Sequence, residues 1–447
     1  MSVPRRLVGA LAVVGALVAL AVGCQRPVEP PARVLLVSID TLRPDHLGTY
    51  GYGRPTSPKL DAFARDGVVF EDVTSAAPWT LPSHATIFTG LYPSHHGLLT
   101  SDAKLRGEVV TLAGALAAGG FATGAVVNSN YLSRTFGLDR GFQRFRYVVE
   151  SVQQCEPTRT VTDQALAWAR ELGDTRWFLF VHYYDVHSDY CSLPEYERAL
   201  VRPYSGHADG TTAQMQAFRQ GRVTFGPDDV QHLVDLYDAG IRQLDDELAR
   251  LLAGIGDDPR LLVIVTSDHG DEFFEHGGVL HGRTQYQELV RVPLIMRGPG
   301  VPRATRVATT ASLVDVAPTI LAAVGVPPPP GLDGADLAST WRGAGAALGE
   351  RYLASEADHN NAEPDVVRAV RHRQHTFHVN RLDGATGLFD LGADPHEQHD
   401  LATAAPDVAA ELRAALERFR STQGKAGEAV TLTPEQRERL RSLGYVR

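Results

Sequence analysis

Three apolar runs, one of them broken only by Ser38, constrain the fold of this chain more than any other feature: Val34–Ile39, Trp177–Val181 and Leu261–Val265. They are rich in β-branched and aromatic residues and do not alternate with polar ones. Such runs fit strands buried on both faces of a parallel sheet, because a strand with one wet face would alternate. Between them lie segments with helical spacing of apolar residues, Pro58–Asp66, Val109–Ala118, Thr160–Leu172 and Asp228–Leu252. Shorter strands read at Val68–Phe70, Phe121–Val127 and Val292–Met296, and a further helix at Val314–Val324. Strands alternating with helices over about 300 residues predict a doubly wound α/β unit, a mostly parallel central sheet sandwiched between helices. From Ser188 to Phe225 periodicity is weak, which reads as an excursion over the mouth of a site.

Pro327–Pro330 marks a boundary. Beyond it, Arg351–Ser355, Val366–Arg371, His375–Asn380 and Gly387–Asp390 read as short strands, and Pro406–Phe419 as a helix. This predicts a small antiparallel sheet with a covering helix over residues 345–447, beside a catalytic unit at 34–335. Thr433–Gln436 has the form of a capping box, and Gly444 of a helix stop.

The first residues read as an address. Arg5 and Arg6 precede an apolar run, Leu7–Leu20, and Ala21-Val22-Gly23-Cys24 looks like a lipobox, whose cysteine is lipidated in bacterial lipoproteins. Simple cleavage and an uncleaved anchor are the alternatives. A signal peptide over 1–24 and a proline-rich tether over 25–33 would leave the protein anchored by lipid at Cys24 in the cell envelope. In that oxidising compartment Cys155 and Cys191 either form a disulfide or are two unrelated buried thiols. A formal charge of −10 over 447 residues, with no basic patch, argues against a nucleic-acid partner and places anion recognition in local groups. Nothing in the sequence points to a protein partner.

Candidate chemistry collects at strand ends, where open α/β sheets place their ligands. Asp40 ends the first run, and Asp268 and His269 follow the third. Thr80 lies in Pro78-Trp79-Thr80-Leu81-Pro82-Ser83-His84, a loop that turns into a helix ended by Gly90. With Pro82 at the first helical position, Thr80 falls at or just before the N-cap, beside unpaired N–H groups and the positive helix end, which suits a tetrahedral anion. Two carboxylates, an imidazole and a hydroxyl make a divalent-metal site, and a metal there activates the hydroxyl as a nucleophile. His187 and His281 follow other strand ends and could hold substrate, protonate a leaving group or bind a second metal.

These residues, in order, resemble the sulfatase family of the alkaline phosphatase superfamily. The resemblance rests on Ser38-Ile39-Asp40-Thr41-Leu42-Arg43-Pro44-Asp45-His46, Pro78–His84, Phe180–His187, Ser267-Asp268-His269-Gly270-Asp271-Glu272, Arg291–Ile295 and Leu388–Glu397. It implies Asp40, Asp268 and His269 as metal ligands, Thr80 as a nucleophile that also touches the metal, and His187 and His281 as contacts to the oxyanion. The chain departs from the pattern at decisive positions. Family sulfatases carry Cys or Ser where Thr80 stands, in a Cys/Ser-x-Pro-x-Arg motif, and oxidise it to formylglycine. Threonine would give a ketone, so no formylglycine is expected, and His84 stands in the place of the arginine. Thr41 replaces a second aspartate, and Asp268-His269 the usual Asp-Asn pair. The result is a nitrogen-richer site that favours zinc or manganese, with calcium and magnesium still compatible. The family's Gly-Lys-Trp-His stretch has no counterpart, and Asn128 lies near its place.

Three readings follow. The first is a metal-dependent hydrolase of phosphate mono- or diesters with Thr80 as nucleophile, and Arg43, His84, Asn128 and Arg283 as substrate contacts. The second is a sulfatase acting on a sulfated glycan or lipid by direct water attack. The third is a surface lipoprotein that keeps the fold as a non-catalytic binding module.

Overall fold

The computed structural model describes residues 29–149, 157–342, 345–356, 358 and 367–442. Its main sheet has eight strands: β1 (Arg33–Ile39), β2 (Val68–Phe70), β3 (Ala122–Val127), β4 (Arg144–Tyr147), β5 (Trp177–Tyr183), β6 (Leu261–Ser267), β7 (Leu294–Arg297) and β8 (Thr305–Val307). Their spatial order is β8-β2-β7-β6-β1-β5-β3-β4. All run parallel except β7, which is antiparallel to both neighbours, β2 and β6.

The three apolar runs lie side by side at the centre, with Ile39 in register with Tyr183 on one side and Ser267 on the other. Side chains of alternate residues explain why no polar face was visible in them. Val34, Leu36, Phe178, Phe180, Leu262 and Ile264 join one core; Leu35, Val37, Leu179, Val181, Val263 and Val265 join the other. The first core is covered by α2 (Thr80–Thr89) and α5 (Val316–Val324), the second by α1 (Pro58–Arg65), α3 (Pro157–Leu172) and α4 (Pro227–Ile255). The excursion between β5 and α4 contains two short helices, Pro194–Leu200 and Thr212–Arg219, that its weak periodicity concealed.

Beyond residue 350, β9 (Tyr352–Glu356), β10 (Val367–His372), β11 (His375–Asn380) and β12 (Thr386–Asp390) form an antiparallel meander. Helix α6 (Pro406–Ser421) buries Leu412, Ala415 and Leu416 against Val370, Phe377 and Leu388 of this sheet. The capping box closes as expected: Thr433 N–H donates to Gln436 Oε1 at 2.9 Å, and Gln436 N–H to Thr433 Oγ1 at 3.2 Å. Gly444, Cys155 and the leader with Cys24 lie outside the described residues, and Cys191 is disulfide-bonded. Among the described residues no helix is long and apolar enough to cross a membrane.

Polar contacts tie the two sheets together. Arg371 Nη1 donates to Asp72 Oδ1 at 2.8 Å, and Arg351 grips Asp315 through both guanidinium ends at 2.7 and 2.8 Å. His276 faces Glu288 Oε1 through Nδ1 at 2.7 Å and Glu397 O through Nε2 at 3.2 Å. Burial would lower the His276 pKa, but Glu288 overrides it and raises the value to about 9. A histidine raised in the folded state stabilises fully below its ordinary value near ~6.5 and loses that contribution as pH climbs through the folded value. His276→Gln is therefore expected to cost about 1–2 kcal/mol at pH 6.5, solvent screening included, and much less at pH 10. Denaturant midpoints of both proteins across this range check it: parallel curves would rule out a charged His276.

Candidate active site

Helix α2 begins at Thr80 itself. Trp79 takes the N-cap in an extended conformation, with φ −161° and ψ 160°, so Thr80 is the first helical residue and Pro82 the third. This moves Thr80 one step from the predicted cap and leaves its hydroxyl at the helix N-terminus, among N–H groups without helical partners. Gly90 closes the helix in the left-handed region at φ 66°.

The structure brings Asp40, Thr80, Asp268 and His269 together, all fully buried. Asp40 Oδ1 lies 3.5 Å and Asp268 Oδ2 3.3 Å from His269 Nε2, and Thr80 Oγ1 lies 3.4 Å from the same nitrogen. His269 Nδ1 donates to Gly270 O at 2.9 Å, which leaves Nε2 the acceptor lone pair. Asp268 Oδ1 accepts from the N–H groups of His269 at 3.0 Å and Thr41 at 3.3 Å. Thr41 carries a left-handed backbone, φ 56°, directly after Asp40, a costly conformation for a β-branched residue and one found at sites whose geometry is over-determined. Burial, and then the Asp40 carboxylate beside it, push the Asp268 pKa up.

These spacings fit a divalent cation. They are longer than ordinary N–H···O bonds of ~2.7–3.2 Å. Ligand bonds of ~2.0–2.2 Å around a tetrahedral ion would set donors about 3.3–3.6 Å apart, the observed range. Asp40, Asp268 and His269 each present a donor atom within 4.8 Å of the others. Asp268 Oδ2 has no hydrogen-bond partner.

His281 and His187 flank this group. The His281 ring lies 4.4 Å from that of His269 and 4.9 Å from that of His187, centroid to centroid. His281 Nδ1 donates to Asp271 Oδ1 at 2.9 Å, and Tyr190 O–H donates to Asp271 Oδ2. His187 Nδ1 donates to Ser188 O at 2.5 Å, and the ring stacks on Tyr184 at 4.2 Å. Burial and then His281 hold His187 well below its ordinary pKa, so it is neutral. Asp271, Tyr184 and Tyr190 carried no role in the sequence reading; the signal for Asp271 was its place three residues after Asp268 on the same strand-end loop.

Of the four expected substrate contacts, Arg43 and His84 are engaged within the protein. Arg43 is committed elsewhere: its guanidinium pairs with Asp45 Oδ2 at 2.7 Å and Glu275 Oε1 at 2.6 Å and donates to Asp271 O at 2.8 Å. It braces the strand-end loops and has little left for an anion. Its aliphatic stem also runs beside Gly270, where an added Cβ would lie 2.0 Å from Glu288 O. His84 lies one helical turn beyond Thr80, fully buried. Its Nδ1 donates to Thr80 O at 2.9 Å and its Nε2 accepts from Ser38 Oγ at 2.9 Å, so both nitrogens are used within the protein. Burial lowers its pKa to about 3, so it is neutral and does not supply the positive charge of the family arginine. Asn128 is buried just after β3 with Oδ1 lacking a hydrogen-bond partner. Arg283 is half-buried two residues beyond His281.

The family model for sulfatases matches residues 32–326, and that for the N-sulphoglucosamine sulphohydrolase C-terminal region matches 275–422. This chain belongs to the sulfatase family. As a family member it is a hydrolase acting on sulfate or phosphate esters, with the mixed α/β fold and small antiparallel subdomain of sulfatase structures. Arylsulfatase A of Homo sapiens is 27% identical over 94% of this chain and 92% of its own. A structure solved in complex with its substrate D-glucosamine-2-N,6-O-disulfate aligns with TM-score 0.73 at 19% identity, over 88% of this sulfatase-family chain and 98% of the other. The phosphonate monoester hydrolase of Agrobacterium radiobacter aligns with TM-score 0.71 at 21% identity, covering 88% and 95%.

Proposed function

We propose that this protein is a metal-dependent hydrolase of phosphate mono- or diesters in which Thr80 is the nucleophile. The observation that carries the reading is the threonine itself, buried at a helix N-terminus with Oγ1 3.4 Å from His269 Nε2. A secondary alcohol cannot be oxidised to the aldehyde on which formylglycine chemistry depends, yet it forms and releases a phosphoryl ester. Asp40, Asp268, His269 and Thr80 would hold a divalent ion, zinc or manganese by donor type, which supplies Lewis acidity at the ester oxygens and lowers the pKa of the threonine hydroxyl.

The remaining steps belong to this chain. Thr80, ionised with its hydroxyl proton released to solvent, attacks phosphorus in line through Oγ; an O–P bond forms and the bond to the leaving oxygen breaks. The N–H groups at the start of α2 receive the developing charge. His281, fixed through Nδ1 by Asp271, presents Nε2 to exchange a proton at the leaving oxygen, and then at the water that frees Thr80. Asp271 is itself held by Tyr190, so the imidazole is oriented by a chain of buried groups.

Turnover of an aryl phosphate, an aryl phosphodiester and an aryl sulfate by metal-reloaded protein tests the reading. Phosphoester turnover at least ~10-fold above sulfate turnover is expected, a gap of about 1.4 kcal/mol. Sulfate turnover as the main activity, as the relatives' names suggest, would overturn it. Silence on all three with no bound metal would favour a binding module. For the leader, we infer lipid attachment at Cys24 in a bacterial envelope, which loss of labelled fatty acid in Cys24→Ser would check.

A further inference from the structure

We infer that His182 is an additional nitrogen ligand of the cation at the Asp40–Asp268–His269 centre, an inference that rests on the metal-dependent reading above. His182 ends the row Phe178, Phe180, His182 on one face of β5, two residues beyond the core side chains Phe178 and Phe180 and in register with Ser38 of β1. An imidazole there is fully buried, and neither of its nitrogens has a hydrogen-bond partner. A buried imidazole without a hydrogen bond carries a desolvation cost.

Its Nε2 lies 3.4 Å from Asp40 Oδ2, whereas His269 Nε2 lies 3.5 Å from Asp40 Oδ1. The two imidazoles thus address the two oxygens of one carboxylate, each at a ligand-to-ligand spacing and too far for a good hydrogen bond. His84, His182 and Asp268 also present donor atoms within 4.8 Å of one another. A separate second ion on that triad is disfavoured by the tautomer of His84. Its Nδ1 must carry a proton to bond to the Thr80 carbonyl, and its Nε2 accepts from Ser38. His84 has no lone pair to give, and His182 is left to serve the one centre. Two carboxylates and two imidazoles form a donor set suited to zinc and its neighbours and poorly suited to calcium, which prefers six or more oxygens.

X-ray absorption of the zinc-loaded full-length protein is expected to count two imidazole ligands. Chelator competition should show His182→Gln weakening zinc about 10–100-fold while calcium affinity moves far less. The visible spectrum of the cobalt(II) form should change in the same variant. One imidazole by absorption, or zinc and calcium weakened equally, would overturn the assignment and make His182 a packing residue. If His182→Gln does not fold, the wild-type imidazole count decides alone. Wild-type protein that takes up no divalent ion would overturn the metal-dependent reading with it, an outcome distinct from a bound ion with one imidazole.

Discussion

Replacing Thr80 by alanine is expected to lower phosphoester turnover by at least about 10³-fold, and by as much as ~10⁶-fold if no water replaces the attacking group. The side chain is deleted at the first residue of α2, one step past the N-cap Trp79, where its Oγ1 makes only a long 3.4 Å approach to His269 Nε2. The loss should therefore fall on kcat with little change in stability. Thr80→Ser keeps the hydroxyl and discards one methyl, so it should retain activity within about 10-fold. The pair separates nucleophile from ligand. If Thr80 only held the ion, both variants would recover at high metal concentration. If it is the nucleophile, alanine stays inactive however much metal is added, and quenched wild-type reactions should yield a Thr80 peptide heavier by one phosphoryl group. Absence of that adduct together with full activity of the alanine variant would sink the proposal.

Much of this site was legible in the sequence because the topology does the gathering. Asp40, Asp268 and His269 lie at the carboxyl ends of adjacent central strands, and the apolar runs that announce those strands carry no alternating polar face. Thr80 was visible for a related reason, a Pro-containing loop opening a helix ended by glycine. Arg43 and His84 were misjudged because a sequence shows charge type and not commitment. Arg43 meets Asp45 two residues away but also Glu275, far along the chain, and His84 meets Ser38 through tertiary packing. Asp271 and His182 lie inside segments that carry the family resemblance, but neither has a role of its own in the sequence pattern. A histidine continuing an apolar strand face is more often a satisfied core residue, and only its three-dimensional neighbours reveal that it lacks a partner. The two helices of the 188–225 excursion escaped because each is at most eight residues long, shorter than a periodicity window can register.

The buried carboxylate pair makes the second large prediction, one in which stability and metal binding move in opposite directions. Asp268 is fully buried and sits beside Asp40, and its pKa is raised by burial and by that neighbour. A raised carboxylate binds its proton more tightly folded than unfolded, so without metal the protein should lose stability as pH rises through the folded value. Asp268→Asn keeps an oxygen to accept from Thr41 and His269 and removes the charge. The metal-free variant is expected to be more stable than metal-free wild type by about 1–3 kcal/mol at pH 7.5, the scale for relieving an uncompensated buried charge. In zinc the order should reverse. Wild type gains about 2.7 kcal/mol when the ion is present at a hundred times its Kd, while the variant, lacking a charged ligand, gains almost nothing. Paired unfolding curves with zinc and with chelator measure all four values. Equal stability of wild type with and without zinc would mean that the carboxylates are not a metal site. Loss of stability in the metal-free variant would mean that the Asp268 charge is compensated within the protein itself.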